Sequence, residues 1–67
     1  MIYYADEVIE FGGKRYTPVT DVIHEEINGM YSNVVKDQLG NRYEAYYNQD
    51  HYDNDDWSKP VRVVELI

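Results

Sequence analysis

The chain has 67 residues, no cysteine and a formal net charge of −7, from 13 acidic and 6 basic residues. This length allows one small domain, residues 1–67, and the missing cysteines exclude disulfides and thiolate zinc sites. The negative charge argues against direct binding to nucleic acid or to an anionic membrane, while a hydrophobic content of 43% argues against disorder.

The N-terminal 30 residues contain no basic stretch followed by an apolar run, so no signal peptide is predicted. No window approaches the roughly 20 apolar residues that a membrane-spanning helix needs. We therefore expect a cytoplasmic protein.

Turn signals separate short segments of strand composition. Gly12-Gly13 lies between residues 8–11 and 14–17, and two glycines supply the positive φ angles of a tight hairpin. Asn28-Gly29 follows residues 22–27 and predicts a second hairpin, because Asn-Gly is a strong hairpin signal.

The rest of the chain continues the strand pattern. The loop 37–41 contains a glycine and joins two further strand segments, which is typical of a hairpin with a bulge. Pro18 is expected to end its strand or to lie on a sheet edge, because proline cannot donate to a ladder. Residues 48–58 show no periodicity, and residues 61–67, after Pro60, read as an apolar closing strand.

Residues 20–27 are open to two interpretations. Thr20 fits the N-cap of a short helix with acidic residues in its first turn. A strand is favoured, because Asn28-Gly29 follows at once and strand composition resumes after it.

Alternation along residues 42–47 predicts the orientation of one strand. Tyr43, Ala45 and Tyr47 share one face and are assigned to the core together with Val34. The other face carries Arg42, Glu44 and Tyr46. The whole pattern predicts an all-β fold of five or six short antiparallel strands in meander order, as a curved sheet or open barrel, with a helical turn over 20–27 as the alternative.

Catalysis is not expected. Ser32 and Ser58 lack the Gly-x-Ser-x-Gly setting of an exposed nucleophile, and no glycine-rich phosphate loop is present. A chain of this size also has little room for a pocket that excludes water from reacting groups.

Two metal-site hypotheses arise from the sequence. Asp53-x-Asp55 is similar to the start of a calcium loop, but the glycine at the sixth position and the glutamate at the twelfth are missing. A zinc site is a second hypothesis, since two His-x-carboxylate pairs supply two nitrogen and two oxygen ligands. Its four ligands are His24, Glu26, His51 and Asp53.

The densest acidic segment is interleaved with aromatic residues. Tyrosine and tryptophan are common in interface hot spots, and surface charges steer encounter with an oppositely charged partner. A surface of this kind fits a basic protein whose groove normally holds phosphates. The predicted contact residues are Asp50, Tyr52, Asp53, Asp55, Asp56 and Trp57.

In size, acidity, lack of cysteine and tyrosine-plus-carboxylate composition, the chain resembles small phage-encoded inhibitors, including anti-CRISPR proteins and other nucleic-acid mimics. The resemblance involves no shared motif, so it assigns no residues. It implies a non-catalytic inhibitor, monomeric or weakly dimeric, that docks on a nuclease or CRISPR effector and blocks nucleic-acid loading. The alternative is a small structural or regulatory accessory module of a virus or mobile element, whose acidity keeps it soluble and which a zinc ion stabilises.

Overall fold

The computed structural model describes residues 2–24, 29–48 and 57–66. None of these residues is helical, so the described part of the chain contains no helix that could span a membrane. The strands are β1 (Ile2–Tyr3), β2 (Ile9–Phe11), β3 (Lys14–Pro18), β4 (Val22–His24), β5 (Tyr31–Lys36), β6 (Arg42–Tyr47) and β7 (Arg62–Glu65). They form one antiparallel sheet that curls into a half barrel, which confirms the predicted all-β class.

The first predicted hairpin joins β2 and β3. Phe11 pairs with Lys14, which leaves Gly12 and Gly13 as the two-residue loop. Their φ angles are 60° and 79°, and positive φ at both positions is the conformation of a type I′ turn. The glycines are therefore required here, because side chains strain this backbone conformation.

The structure describes the second hairpin only in part. Residues 22–24 are a strand, as predicted, and His24 pairs with Tyr31 of β5. Residues 25–28, which include the first residue of the predicted Asn-Gly turn, lie outside the described residues. Gly29 has a positive φ of 72°.

Strand β5 is the centre of the sheet. One of its edges pairs with β6 along the whole strand, and β6 pairs in turn with β7. The other edge pairs with β3 and β4, which lie end to end. The order therefore departs from a simple meander, because β3 and β4 are successive parts of one interrupted strand.

A bulge separates β3 from β4. Pro18 pairs with Val35 and Ile23 with Ser32, so residues 19–22 lie opposite only residues 33 and 34. Thr20 stabilises the bulge: its Oγ1 accepts a hydrogen bond from the Val34 amide at 2.9 Å. Pro18 ends β3 as predicted.

The inner face of the sheet forms the core, and Tyr43, Ala45 and Tyr47 lie on it as predicted. The assignment of Val34 to this core was wrong. Val34 pairs with Glu44 on the outer face, and its neighbour Val35, which is fully buried, contributes to the core instead. Among the described residues, the core cluster also includes Ala5, Ile9, Tyr16, Val22, Tyr31 and Trp57.

Candidate functional site

The acidic charge is concentrated in two short segments. The described residues contain all six basic residues and seven of the acidic ones, for a net charge of −1. Residues 25–28 and 49–56 contain the other six acidic residues and no basic one. These segments therefore carry −6 of the total charge of −7.

Both segments connect to one end of the sheet. His24 precedes the first segment and Trp57 follows the second, and the rings of both contact Tyr31, with centroids 4.8 and 5.5 Å away. Tyr47, at the end of β6, contacts Trp57 edge-on at 5.0 Å. We call His24, Tyr31, Tyr47 and Trp57 the aromatic end. Since β4, β5 and β6 are neighbours about 4.8 Å apart, the aromatic end brings together residues that flank the two acidic segments.

Hydrogen bonds hold the anchor residues in place. The Tyr47 hydroxyl is fully buried and lies 2.9 Å from the Trp57 carbonyl oxygen and 3.1 Å from Asn33 Oδ1. His24 Nε2 lies 3.2 Å from the Gly29 carbonyl oxygen, which ties together the two ends of the first acidic segment. The aromatic end is thus a packed part of the fold.

Among the predicted contact residues, the structure describes only Trp57. It is 3% exposed and packs against Tyr3, Tyr31 and Tyr47. Its assignment to the binding surface is corrected accordingly: the indole belongs to the core, where three tyrosine rings pack around it. The remaining predicted contacts, Asp50, Tyr52, Asp53, Asp55 and Asp56, lie outside the described residues.

The zinc hypothesis stays a prediction. Of its four ligands the structure describes only His24, whose side chain is exposed. Glu26, His51 and Asp53 lie outside the described residues. Within residues 2–24, 29–48 and 57–66, no three histidine, aspartate or glutamate side chains come together in a group that could hold a metal.

The opposite end of the sheet is different in charge. The β2–β3 and β5–β6 hairpins lie side by side there and carry four of the six basic residues, Lys14, Arg15, Lys36 and Arg42. An open groove of about 450 Å³ runs between the hairpins. Four of the six basic residues therefore lie at the end away from the acidic segments, whereas Arg62, in register with Tyr46, lies toward the aromatic end.

Asp37 organises the hairpin loop at this basic end. Its carboxylate accepts hydrogen bonds from the Leu39 and Asn41 amides at 2.9 Å and from the Tyr43 hydroxyl at 2.9 Å. Partial removal from water raises the pKa of the Asp37 carboxyl, but these hydrogen bonds outweigh that effect and hold the pKa below its ordinary value. The same carboxylate raises the pKa of Tyr43, mainly through their hydrogen bond.

This geometry predicts a pH-dependent contribution to stability. The pKa of Asp37 is lower in the folded protein than its ordinary value of 3.8, so the ionised carboxylate stabilises the fold at pH values above 3.8. This stabilisation is lost as the pH falls through the pKa of the folded protein. Asp37→Asn should lower the urea midpoint at pH 7, and the difference from the parent protein should shrink at pH 3. Asp6→Asn, at an exposed position, is the charge-matched control. An Asp37→Asn deficit as large at pH 3 as at pH 7 would contradict the role of the ionised carboxylate.

The outer face of the sheet carries a further candidate site, which the sequence did not predict. A groove of about 320 Å³ lies beside the bulge, lined by Thr20, Asp21, Ile23, Ser32, Asn33, Val34 and Glu44. Ser32 is fully buried, and within the described part of the chain its Oγ is the only buried side-chain polar atom without a hydrogen-bond partner. Such a hydroxyl typically costs about 1–3 kcal/mol of stability.

Comparison with known proteins identifies no relative. No protein-family model matches the chain, and no curated protein or solved structure matches it either.

Proposed function

We propose that this protein is a non-catalytic inhibitor that docks its two acidic segments on a basic, nucleic-acid-handling protein, such as a nuclease or CRISPR effector. By occupying the partner's phosphate-binding groove, it blocks the loading of nucleic acid. The observation that carries the proposal is the anchoring of both acidic segments, through His24 and Trp57, on the single ring of Tyr31.

The distribution of charge supports this interpretation over a general role in solubility. Charge that only keeps a protein soluble is mixed over the whole surface. Here the sheet is nearly neutral, and six carboxylates belong to segments that connect to one end of it. A concentrated patch of one sign is what steers a charged partner and competes with phosphates for a basic groove.

The proposal is tested by two variants with the same change in charge. The first replaces Asp50, Asp53, Asp55 and Asp56 with asparagine. The second is the control and replaces four exposed acidic residues outside the two segments, as Asp6→Asn, Glu7→Gln, Glu10→Gln and Glu65→Gln. Each tagged protein is used to capture basic proteins from a bacterial lysate, and the bound fraction is eluted with a salt gradient.

We expect the parent protein and the control to retain a nucleic-acid-binding protein at 0.1 M salt and to release it near 1 M, as the screening length falls from about 10 to 3 Å. The segment variant should bind the same protein at least tenfold more weakly, a loss of about 1.4 kcal/mol. Duplex DNA added to the captured complex should displace the inhibitor. Equal binding by both variants would overturn the acidic-segment interface, and recovery of the protein alone would favour the accessory-module alternative.

A further inference from the structure

We infer that the outer-face groove beside the bulge is a binding site for a guanidinium group, filled by an arginine side chain of the partner protein. The identity of the partner rests on the proposed function above. The chemistry of the groove rests on its own residues, of which Ser32, Glu44, Asp21, Ile23 and Val34 carry the argument.

The buried hydroxyl of Ser32 points to a missing hydrogen-bond partner. Ser32 lies on the outer face, in register between Ile23 of β4 and Tyr46 of β6. Buried polar groups in folded proteins are almost always paired, and an unpaired one calls for an explanation such as an absent ligand. Because Ser32 also lines the groove, a polar group that enters the groove is the natural partner for its Oγ.

The rim of the groove selects a cation. Asp21 and Glu44 both line it, and each carboxylate is held in place by a hydrogen bond. Asp21 Oδ1 accepts from the Ala5 amide at 3.4 Å, and Glu44 Oε1 accepts from the Tyr46 hydroxyl at 3.2 Å. No lysine or arginine is among the residues described as lining this groove. An anion would be repelled, and a purely apolar group would leave Ser32 Oγ unpaired.

The apolar part of the groove selects a cation on an aliphatic stem. Ile23 is 47% exposed, and Val34, which pairs with Glu44, lies half-buried beside it. Arginine places methylene groups on such surfaces while its charged head contacts polar groups. Its planar head has five N–H donors and is more weakly hydrated than an ammonium, so it suits two carboxylates and a buried hydroxyl better than lysine does. A volume of about 320 Å³ is at the lower end of ligand-pocket sizes and suits one side chain.

The first test uses a short peptide as the probe. Acetyl-Gly-Arg-Gly-amide is titrated into labelled protein and followed by NMR, with the citrulline peptide as an uncharged control of the same shape. We expect saturable shifts at Ile23, Ser32, Val34 and Glu44 in the millimolar range, and at least fivefold weaker binding of the citrulline peptide. Equal binding of both peptides, or shifts at other sites only, would overturn the inference.

Two variants separate binding from folding. Ser32→Ala removes the unpaired hydroxyl, so the protein should be as stable as the parent or more stable, while its affinity for the arginine peptide falls at least threefold. Glu44→Gln should weaken binding similarly, whereas Glu65→Gln, the same charge change at an exposed position of β7, should not. Parent-like binding by Ser32→Ala would overturn the role of the hydroxyl. If the groove resonances shift on dilution without peptide, a second copy of the chain is the occupant and the inference fails.

The outcomes for the groove and for the proposed inhibitor are distinguishable. Peptide binding at the groove without capture of a basic protein would support the site and count against the inhibitor. The opposite result is that the parent protein and Ser32→Ala both capture a basic protein, while the arginine peptide does not bind the groove. This result would support the inhibitor and overturn the site.

Discussion

Trp57→Ala is expected to remove a large part of the protein's stability near neutral pH. The indole is 3% exposed and contacts the rings of Tyr3, Tyr31 and Tyr47. Truncation of a buried aromatic residue to alanine costs about 3–5 kcal/mol. A domain of this length has a total stability of roughly 3–10 kcal/mol, taking 0.05–0.15 kcal/mol per residue. Urea denaturation followed by far-ultraviolet circular dichroism measures the loss.

The control for this variant is Leu39→Ala at the tip of the β5–β6 hairpin. Leu39 is 87% exposed, so its truncation should change the stability by no more than about 0.5 kcal/mol. Trp57→Phe is the conservative variant, because it keeps an aromatic ring in the core. If Trp57→Ala unfolds at the same urea concentration as Leu39→Ala, Trp57 is not a core residue in solution, and its predicted role as a surface contact is restored.

The local features of the fold were predictable because short-range chemistry decides them. The two glycines Gly12 and Gly13 are sufficient for the type I′ turn, and Gly40 adopts a φ of 87° in the loop after β5. The alternation of Tyr43, Ala45 and Tyr47 also follows from the two-residue repeat of a strand alone. In each case the determining residues are within a few positions of one another.

The features that were missed depend on contacts between distant segments. Val34 and Val35 are adjacent and equally apolar, so only the register with β6 decides which of them faces the core. The end-to-end placement of β3 and β4 along β5 depends on the bulge at residues 19–22, whose stabilising Thr20 contacts Val34, 14 positions away. Local propensity contains no information about such pairings.

The candidate sites also divide into features that local sequence predicts and features that depend on contacts between distant segments. The acidic segments are visible in the sequence as a local excess of carboxylates, whereas their common anchor on Tyr31 requires the pairing of β4 with β5. The groove beside Ser32 was not predicted, because a serine inside a strand gives no signal of its own. It becomes notable only when the tertiary structure buries the hydroxyl without a partner.

Tyr47→Phe is expected to destabilise the protein by about 1–3 kcal/mol, because it removes the hydroxyl that lies between two buried acceptors. These acceptors are the Trp57 carbonyl oxygen and Asn33 Oδ1, at 2.9 and 3.1 Å. Since the ring of Tyr47 is fully buried and phenylalanine keeps its shape, the packing against Trp57 is retained and the effect isolates the hydrogen bonds. In a domain of this size each kcal/mol lowers Tm by roughly 4–8 °C.

The matched control is Tyr4→Phe, which removes the same hydroxyl from a side chain that is 74% exposed and should change Tm by no more than a few degrees. Amide hydrogen exchange extends the test to the residues that follow the second acidic segment. Because the Tyr47 hydroxyl holds the Trp57 backbone, Tyr47→Phe should raise exchange at residues 57 and 58 more than along β5, where the pairing with β6 is unchanged. Equal Tm values for the two Phe variants would show that the hydroxyl does not anchor Trp57. The ring contacts of Trp57 would then be what holds this residue against the sheet.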